Sequence, residues 1–262
     1  MKKYIRLMSA FITYSLQGKL EYRFDFFINI LRSVGWLFVG IFSFQVLFAQ
    51  SDVIGGWNKA EAMSLFGIFI VITHVWYMFL APNLLGFSEM IRTGDFDFVL
   101  MKPVSTQFVI SLKETYIYSV ANLLLGVGII LYYSSQVARD VNLFTVLIAM
   151  LLIGNGLLIL YSLMLAIVTL SFWIINFSSF WHVYEVFTEG ARYPVSFFKN
   201  PLRFLFTFIL PLSIMFTLPA EFLVKEVSWW IVLFAFLVGG VCFYLSSKFF
   251  YFGIRHYNSA SS

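Results

Sequence analysis

Long apolar runs dominate the chain, and short connections between them hold most of its charge. The runs fall at 33–49, 62–81, 115–133, 143–173 and 229–252, with an apolar but proline-broken region over 176–220. About 20 residues cross a bilayer's hydrocarbon as helix. The alternating segments of about 9–11 residues that build a membrane barrel are missing from the pattern. An all-α polytopic membrane protein with six transmembrane helices follows. Arg32 stands at the edge of the first run, where a long side chain can snorkel to the headgroups. Trp229, Trp230, Lys248, Tyr251 and Arg255 bracket the last run as an interfacial belt would.

Ahead of the first run, residues 1–25 have a different period. Arg6, Ser9, Thr13 and Gln17 recur at helical steps, while Ile5, Met8, Phe11 and Ile12 fall largely on the other side. That pattern predicts a helix lying in the interface plane, with a frayed tail as the alternative. The two lysines at its start resemble a signal peptide. Ser9, Thr13 and Ser15 interrupt the apolar run and no small-residue cleavage site follows, so the segment is expected to stay in the mature chain.

The most informative connection holds EMIRTGDFDFVLMKPVSTQF, residues 89–108, between the second and third runs. Pro82 ends the second run, and Asn83 is a candidate N-cap for a short helix over LLGFSEMIRT. Gly94 offers the left-handed position that closes helices. DFDF then alternates acid and aromatic, and Lys102-Pro103 restarts the chain. A short helix with charge on one side and aromatics on the other suits docking into a partner's groove. A solvated loop whose charges keep it out of the bilayer fits equally well.

Composition narrows the class. Of 262 residues 61% are hydrophobic and only 11% charged, against about 25% in soluble domains. The net charge of +4 is spread over the connections and forms no basic face, so it points to lysine and arginine bias and not to nucleic acid. That bias places both termini, and the 83–107 connection, on the cytoplasmic side. Cys242 stands alone and can form no internal disulfide. There is no G-x-x-x-x-G-K-[ST] phosphate loop, no H-E-x-x-H and no G-x-S-x-G, so no catalytic site is expected.

Other polar groups sit inside apolar runs. Ser178, His182, Glu185 and Glu189 would share one face of a helix over 176–193, either lining a translocation path or a polar interface, or facing water on a shallow helix. A metal at His182 and Glu185 is disfavoured, because di-iron bundles need two Glu-x-x-His pairs and only one is present, reversed. Thr73, His74, Asn122 and Asn155 are expected to make interhelical hydrogen bonds, with Gly154 and Gly156 allowing close approach.

The run Gly94-Asp95-Phe96-Asp97-Phe98-Val99-Leu100-Met101-Lys102-Pro103 resembles the G-x-(L/F)-D-x-x-L-x-(R/K)-P signature of ABC-2 type transporter permeases. Within them it is most similar to the short six-span bacterial branch without a fused ATPase. Ala191-Arg192-Tyr193-Pro194-Val195-Ser196-Phe197-Phe198, followed by PLRFLFTFILPLSIMFTLPAEFL, resembles a second segment of that branch. Phe96 and Phe197 replace its usual leucine and isoleucine.

The resemblance implies an N-terminal elbow helix over 1–25 and a transmembrane domain over 26–258. Within that domain it implies a coupling loop at 83–107 and an outer re-entrant element at 195–220, which would make 176–193 the fifth span. Plain hydropathy makes 204–220 that span instead. It further implies that Ser88, Glu89, Met90, Ile91, Arg92 and Thr93 insert into a separate ATPase subunit. Gly94, Asp95, Asp97, Lys102 and Pro103 would then shape the loop or contact the rim. ATP and magnesium would bind that partner, with no cofactor on this chain. A second permease copy, or a related one, would complete an exporter of a hydrophobic or amphipathic compound in the bacterial inner membrane. An ion-gradient-driven transporter and a non-transporting assembly protein are the rivals.

Overall fold

The computed structural model describes residues 2–20, 23–137, 141–174, 185 and 189–257. Helix dominates because residues with apolar surroundings on all sides must satisfy their backbone groups within the segment. Among the described residues five helices are long and apolar enough to cross a membrane. They are α2 (Arg23–Phe48), α3 (Lys59–Phe79), α8 (Val120–Ser134, with a 3-10 turn from Ile117), α9 (Leu143–Thr169, continued to Phe172) and the last helix, Trp229–Ile254. α2 begins before its apolar part, whose candidate span is Leu31–Phe48, so Arg32 stands at the edge of that span as expected, within a continuous helix. The N-terminal helix α1 covers Lys2–Leu20, and Arg6, Ser9, Thr13 and Gln17 are all exposed on it.

α3 and α8 pack antiparallel and very closely. A Cβ on Gly67 would sit 3.0 Å from the Gly126 carbonyl, and one on Gly126 3.2 Å from that of Gly67. Their polar link is His74. Its Nδ1 meets the Ile70 carbonyl at 2.9 Å and its Nε2 meets Asn122 Nδ2 at 2.8 Å. A carbonyl only accepts, so the proton sits on Nδ1 and Asn122 donates to Nε2. Thr73 was expected to bridge helices, but its hydroxyl donates back to Phe69 O at 2.7 Å within α3. Threonine in an apolar helix often satisfies itself this way.

α9 and the last helix run parallel. Phe144 meets Trp229 at one end, Tyr161 meets Phe243 further along, and Phe172 meets Phe250 at the other. Midway, Asn155 Nδ2 donates to Ala235 O at 2.9 Å, beside Gly239, which has no side chain to obstruct it. Gly156 faces the backbone of Met215, whose carbonyl oxygen a Cβ would approach to 2.2 Å; Gly154 faces open space. Only one of the two glycines on either side of Asn155 serves close approach.

Two parallel neighbours require the chain to return between them. Trp173 stacks on Phe249 near the end of the last helix. Tyr193 and Phe197 pack on Phe44 and Phe48 at the opposite end, beside the two-stranded hairpin Val53–Asn58. Tyr193 therefore stands at the hairpin end. The prolines then act. Asn200–Ile209 and Ser213–Val224 meet at 76° around Pro211, each containing a π-helical turn, and Pro201 and Pro219 open their α-helical parts. Phe197 touches the hairpin at Gly55 before this pair, and Lys225 Nζ donates to Gly56 O at 2.5 Å after it. The pair thus has both its entry and its exit beside the hairpin.

Candidate functional site

The connection after α3 forms an elbow of four short helices: α4 (Ala81–Leu85), α5 (Phe87–Thr93), α6 (Asp95–Leu100) and α7 (Thr106–Leu112). It begins with Pro82 in the first turn of α4, where a missing N–H costs nothing. Asn83 does not cap a helix. It reaches across the elbow, donating Nδ2 to Phe79 O and Glu114 O, both at 2.8 Å, and accepting Glu114 N at 2.7 Å on Oδ1. One buried amide thus pins the start of the elbow to its end.

Gly94 separates α5 from α6 at φ +81°, the left-handed conformation that side chains resist. The DFDF stretch is helical, and its two aromatics part company. Phe96 is fully buried, whereas Phe98 is 63% exposed. Phe96 and Phe87 meet edge to face at 5.3 Å, and both pack on Phe172 at the end of α9. Phe96 also packs on Tyr257 at 5.1 Å, and Phe87 on Phe250 at 5.9 Å. The elbow is therefore bolted to the ends of α9 and the last helix by aromatic rings.

A second, polar attachment lies beneath α7. Gln107 Nε2 donates to Tyr161 Oη and to Ser247 Oγ, each at 3.0 Å, and Ser111 Oγ lies 2.9 Å from Tyr161 Oη. The N-terminal helix closes the other side. Lys3 Nζ donates to Pro103 O at 2.6 Å, Tyr4 packs on Phe108, and Ser15 Oγ accepts Thr115 N. α1 is thereby braced against the elbow.

The sequence-predicted residues divide between these surfaces. Ile91 is buried and Met90 packs on the core, so both serve the chain's own interior. Glu89, Arg92, Thr93, Asp95 and Lys102 are exposed, Pro103 is exposed with its carbonyl held by Lys3, and Ser88 and Asp97 are half-buried. Most of the polar ones bond locally. Arg92 grips Glu89 through Nε at 2.8 Å and a second nitrogen, and Thr93 donates to Asp95 Oδ2 at 2.9 Å. Asp95 and Asp97 also stand in the first turn of α6, where the helix dipole favours them. Phe98, Leu100 and Met101 are exposed beside this polar rim and were not singled out from the sequence. The alternation of DFDF was the available signal, since residues two apart on a helix lie on nearly opposite faces.

Hydrogen bonding from Arg92 holds the Glu89 carboxyl below the usual carboxylate range. The pair's contribution is present above the unfolded value of about 4.3 and is lost only as pH falls through the lowered one. In carbon-labelled protein the Glu89 resonance is expected to titrate below the ordinary range, and Arg92→Gln to restore it. An unshifted midpoint in both proteins rules the pairing out.

Of the second predicted group, Ser178 and His182 lie outside the described residues. Glu185 is exposed, and Glu189 pairs with Arg192 at 3.2 Å. Among the described residues no three His, Cys, Asp or Glu side chains are grouped to hold a metal.

The sequence matches the family described as "ABC-2 family transporter protein" over residues 34–261, nearly the whole chain. A search for curated relatives found no match.

Proposed function

This chain belongs to the ABC-2 transporter family, and from that membership we propose that it is the membrane-spanning subunit of an exporter driven by a separate ATPase. The observation that carries the reading is the elbow. An element presenting Phe98 and Met101 to the outside while bolted through Phe96 and Phe87 to the ends of two long helices can pass a push from a partner to the bundle. Rigid-body movement of such packed units is a common switching mode. Two permease copies, identical or related, would enclose the path. ATP and magnesium would act on the ATPase subunits.

The start of α1 and the end of the last helix both meet the elbow, through Lys3 and Tyr257. Lys3, Arg6, Arg92, Lys102, Lys113, Lys248 and Arg255 lie towards it, against Lys59, Arg192, Lys199, Arg203 and Lys225 towards the hairpin end. Positive-inside bias favours the elbow end as cytoplasmic in the bacterial inner membrane. The re-entrant path gives the hairpin end three cations that a span over 204–220 would have put inside, so the bias is narrower than a hydropathy reading allows.

The test is to co-express the chain with the ATPase encoded beside it and to purify through a tag on the permease. Wild type is expected to bring the ATPase down, and Phe98→Ser/Met101→Ser to lose at least tenfold of it while melting like wild type. Transport that persists without any ATPase would instead favour a gradient-driven carrier.

A further inference from the structure

The re-entrant pair encloses a cleft of about 600 Å³. Its lining mixes opposite charges, hydroxyls and aromatics: Arg203, Glu221, Thr207, Thr217, Ser196 and Phe208.

Arg203 is exposed on this lining, and Glu221 is half-buried with the Lys225 charge acting on it. Among the described residues Arg203 and Glu221 form no ion pair with each other or with any other side chain. The nearest candidate for Glu221 is Lys225, one helical turn on. Lys225 acts on Glu221 while also holding other groups: its Nζ donates to Gly56 O, lies 3.5 Å from Glu61 Oε2 and sits 4.1 Å over the Trp57 ring. Glu221 is left half-buried at the cleft wall. Ser196 Oγ is buried there with no hydrogen-bond partner, an additional unmet polar group. At the rim Phe204 and Phe208 are exposed, offering an apolar surface continuous with the charged lining.

We propose that this cleft binds the head of a zwitterionic amphiphile, an anionic group on Arg203 and an amine on Glu221, with its hydrocarbon tail along Phe204 and Phe208. A single charge of either sign would leave one of the two residues unpaired. A purely apolar compound would leave both unpaired, together with the hydroxyls of Thr207 and Thr217, which a bound polar head can engage. The chemistry is shared by a resident bilayer lipid and by cargo, and the assignment as cargo rests on the transporter reading above.

The test separates these. The purified permease, alone in a maltoside detergent, is titrated with lysophosphatidylethanolamine (zwitterionic), lysophosphatidylglycerol (anionic) and an alkyltrimethylammonium of equal tail length. Wild type is expected to bind the zwitterion at least tenfold more tightly than either singly charged probe. Arg203→Gln and Glu221→Gln should each lose that tenfold, with unliganded melting unchanged. Arg203→Gln should lose the anionic probe as well, and Glu221→Gln should not. Equal affinity for the three probes in wild type, or unaltered binding in both variants, overturns the site. In a second arm the zwitterion is added to the permease–ATPase complex in nanodiscs. Hydrolysis stimulated in wild type and not in the variants supports cargo. Binding without stimulation overturns the cargo assignment. The first arm needs no ATPase, so failure of the transporter reading would not be mistaken for failure of the site.

Discussion

Phe96→Ala is expected to cost about 3–5 kcal/mol and to release the elbow from the bundle, whereas Phe98→Ala, two residues on, should stay within about 0.5 kcal/mol of wild type. Phe96 is fully buried and touches Phe87, Phe172 and Tyr257, three rings from three different parts of the chain. Truncating it removes edge-to-face contacts as well as buried area, and leaves a hole that the surrounding rings cannot fill without moving the ends of α9 and the last helix. Phe98 has no such commitment, being largely exposed. Thermal melting of the two variants in detergent measures the contrast. The coupled function should show the reverse distinction: Phe98→Ala retains the fold and weakens partner binding, while Phe96→Ala loses both. Equal destabilisation by the two would mean that the aromatic cluster does not anchor the elbow.

Gly94→Val is expected to uncouple hydrolysis from transport. At φ +81° a β-branched side chain clashes with its own backbone, although the space around Gly94 is open, with nothing within 4 Å of where a Cβ would stand. The penalty is therefore one of backbone conformation alone, about 1–2 kcal/mol for an ordinary residue and more for valine. The chain can relieve it only by turning α6 relative to α5, which swings Phe98 and Met101 away from their positions. A graded series tests this reasoning: Gly94→Asn should be tolerated, Gly94→Ala intermediate and Gly94→Val worst, read as ATP hydrolysed per molecule exported. Gly154→Ala, in α9 and also facing open space but with ordinary helical φ, is the control and should be silent. Normal coupling in Gly94→Val would falsify the view that elbow shape transmits the push.

The spans, the elbow and its glycine hinge were legible in the sequence because they depend on local chemistry. Hydrocarbon thickness fixes the length of an apolar run, and the left-handed backbone at Gly94 needs no distant neighbour. The same locality explains what was misread. Asn83, placed just after Pro82, had the marks of a cap, yet its amide bonds to Glu114, 31 residues away. The DFDF stretch showed only an alternation of acid and aromatic, and burial of Phe96 against Phe172 and Tyr257 on a helix decides which ring faces inward.

By itself the sequence determined that this chain is a helical membrane protein, where five of its long helices run, and that charge and aromatics are concentrated in one elbow. Only the tertiary structure decided which elbow side chains face inward, and that the prolines of 201–219 fold a helix pair back to the end it entered from. It also decided which glycine beside Asn155 is a contact. The physical reason is that lipid and protein core are both apolar, so hydrophobic periodicity loses its power to tell a buried face from an exposed one. Side and direction are then set by contacts between residues far apart in the chain, such as Phe144 with Trp229 and Phe172 with Phe250, which make two helices parallel and require the return between them.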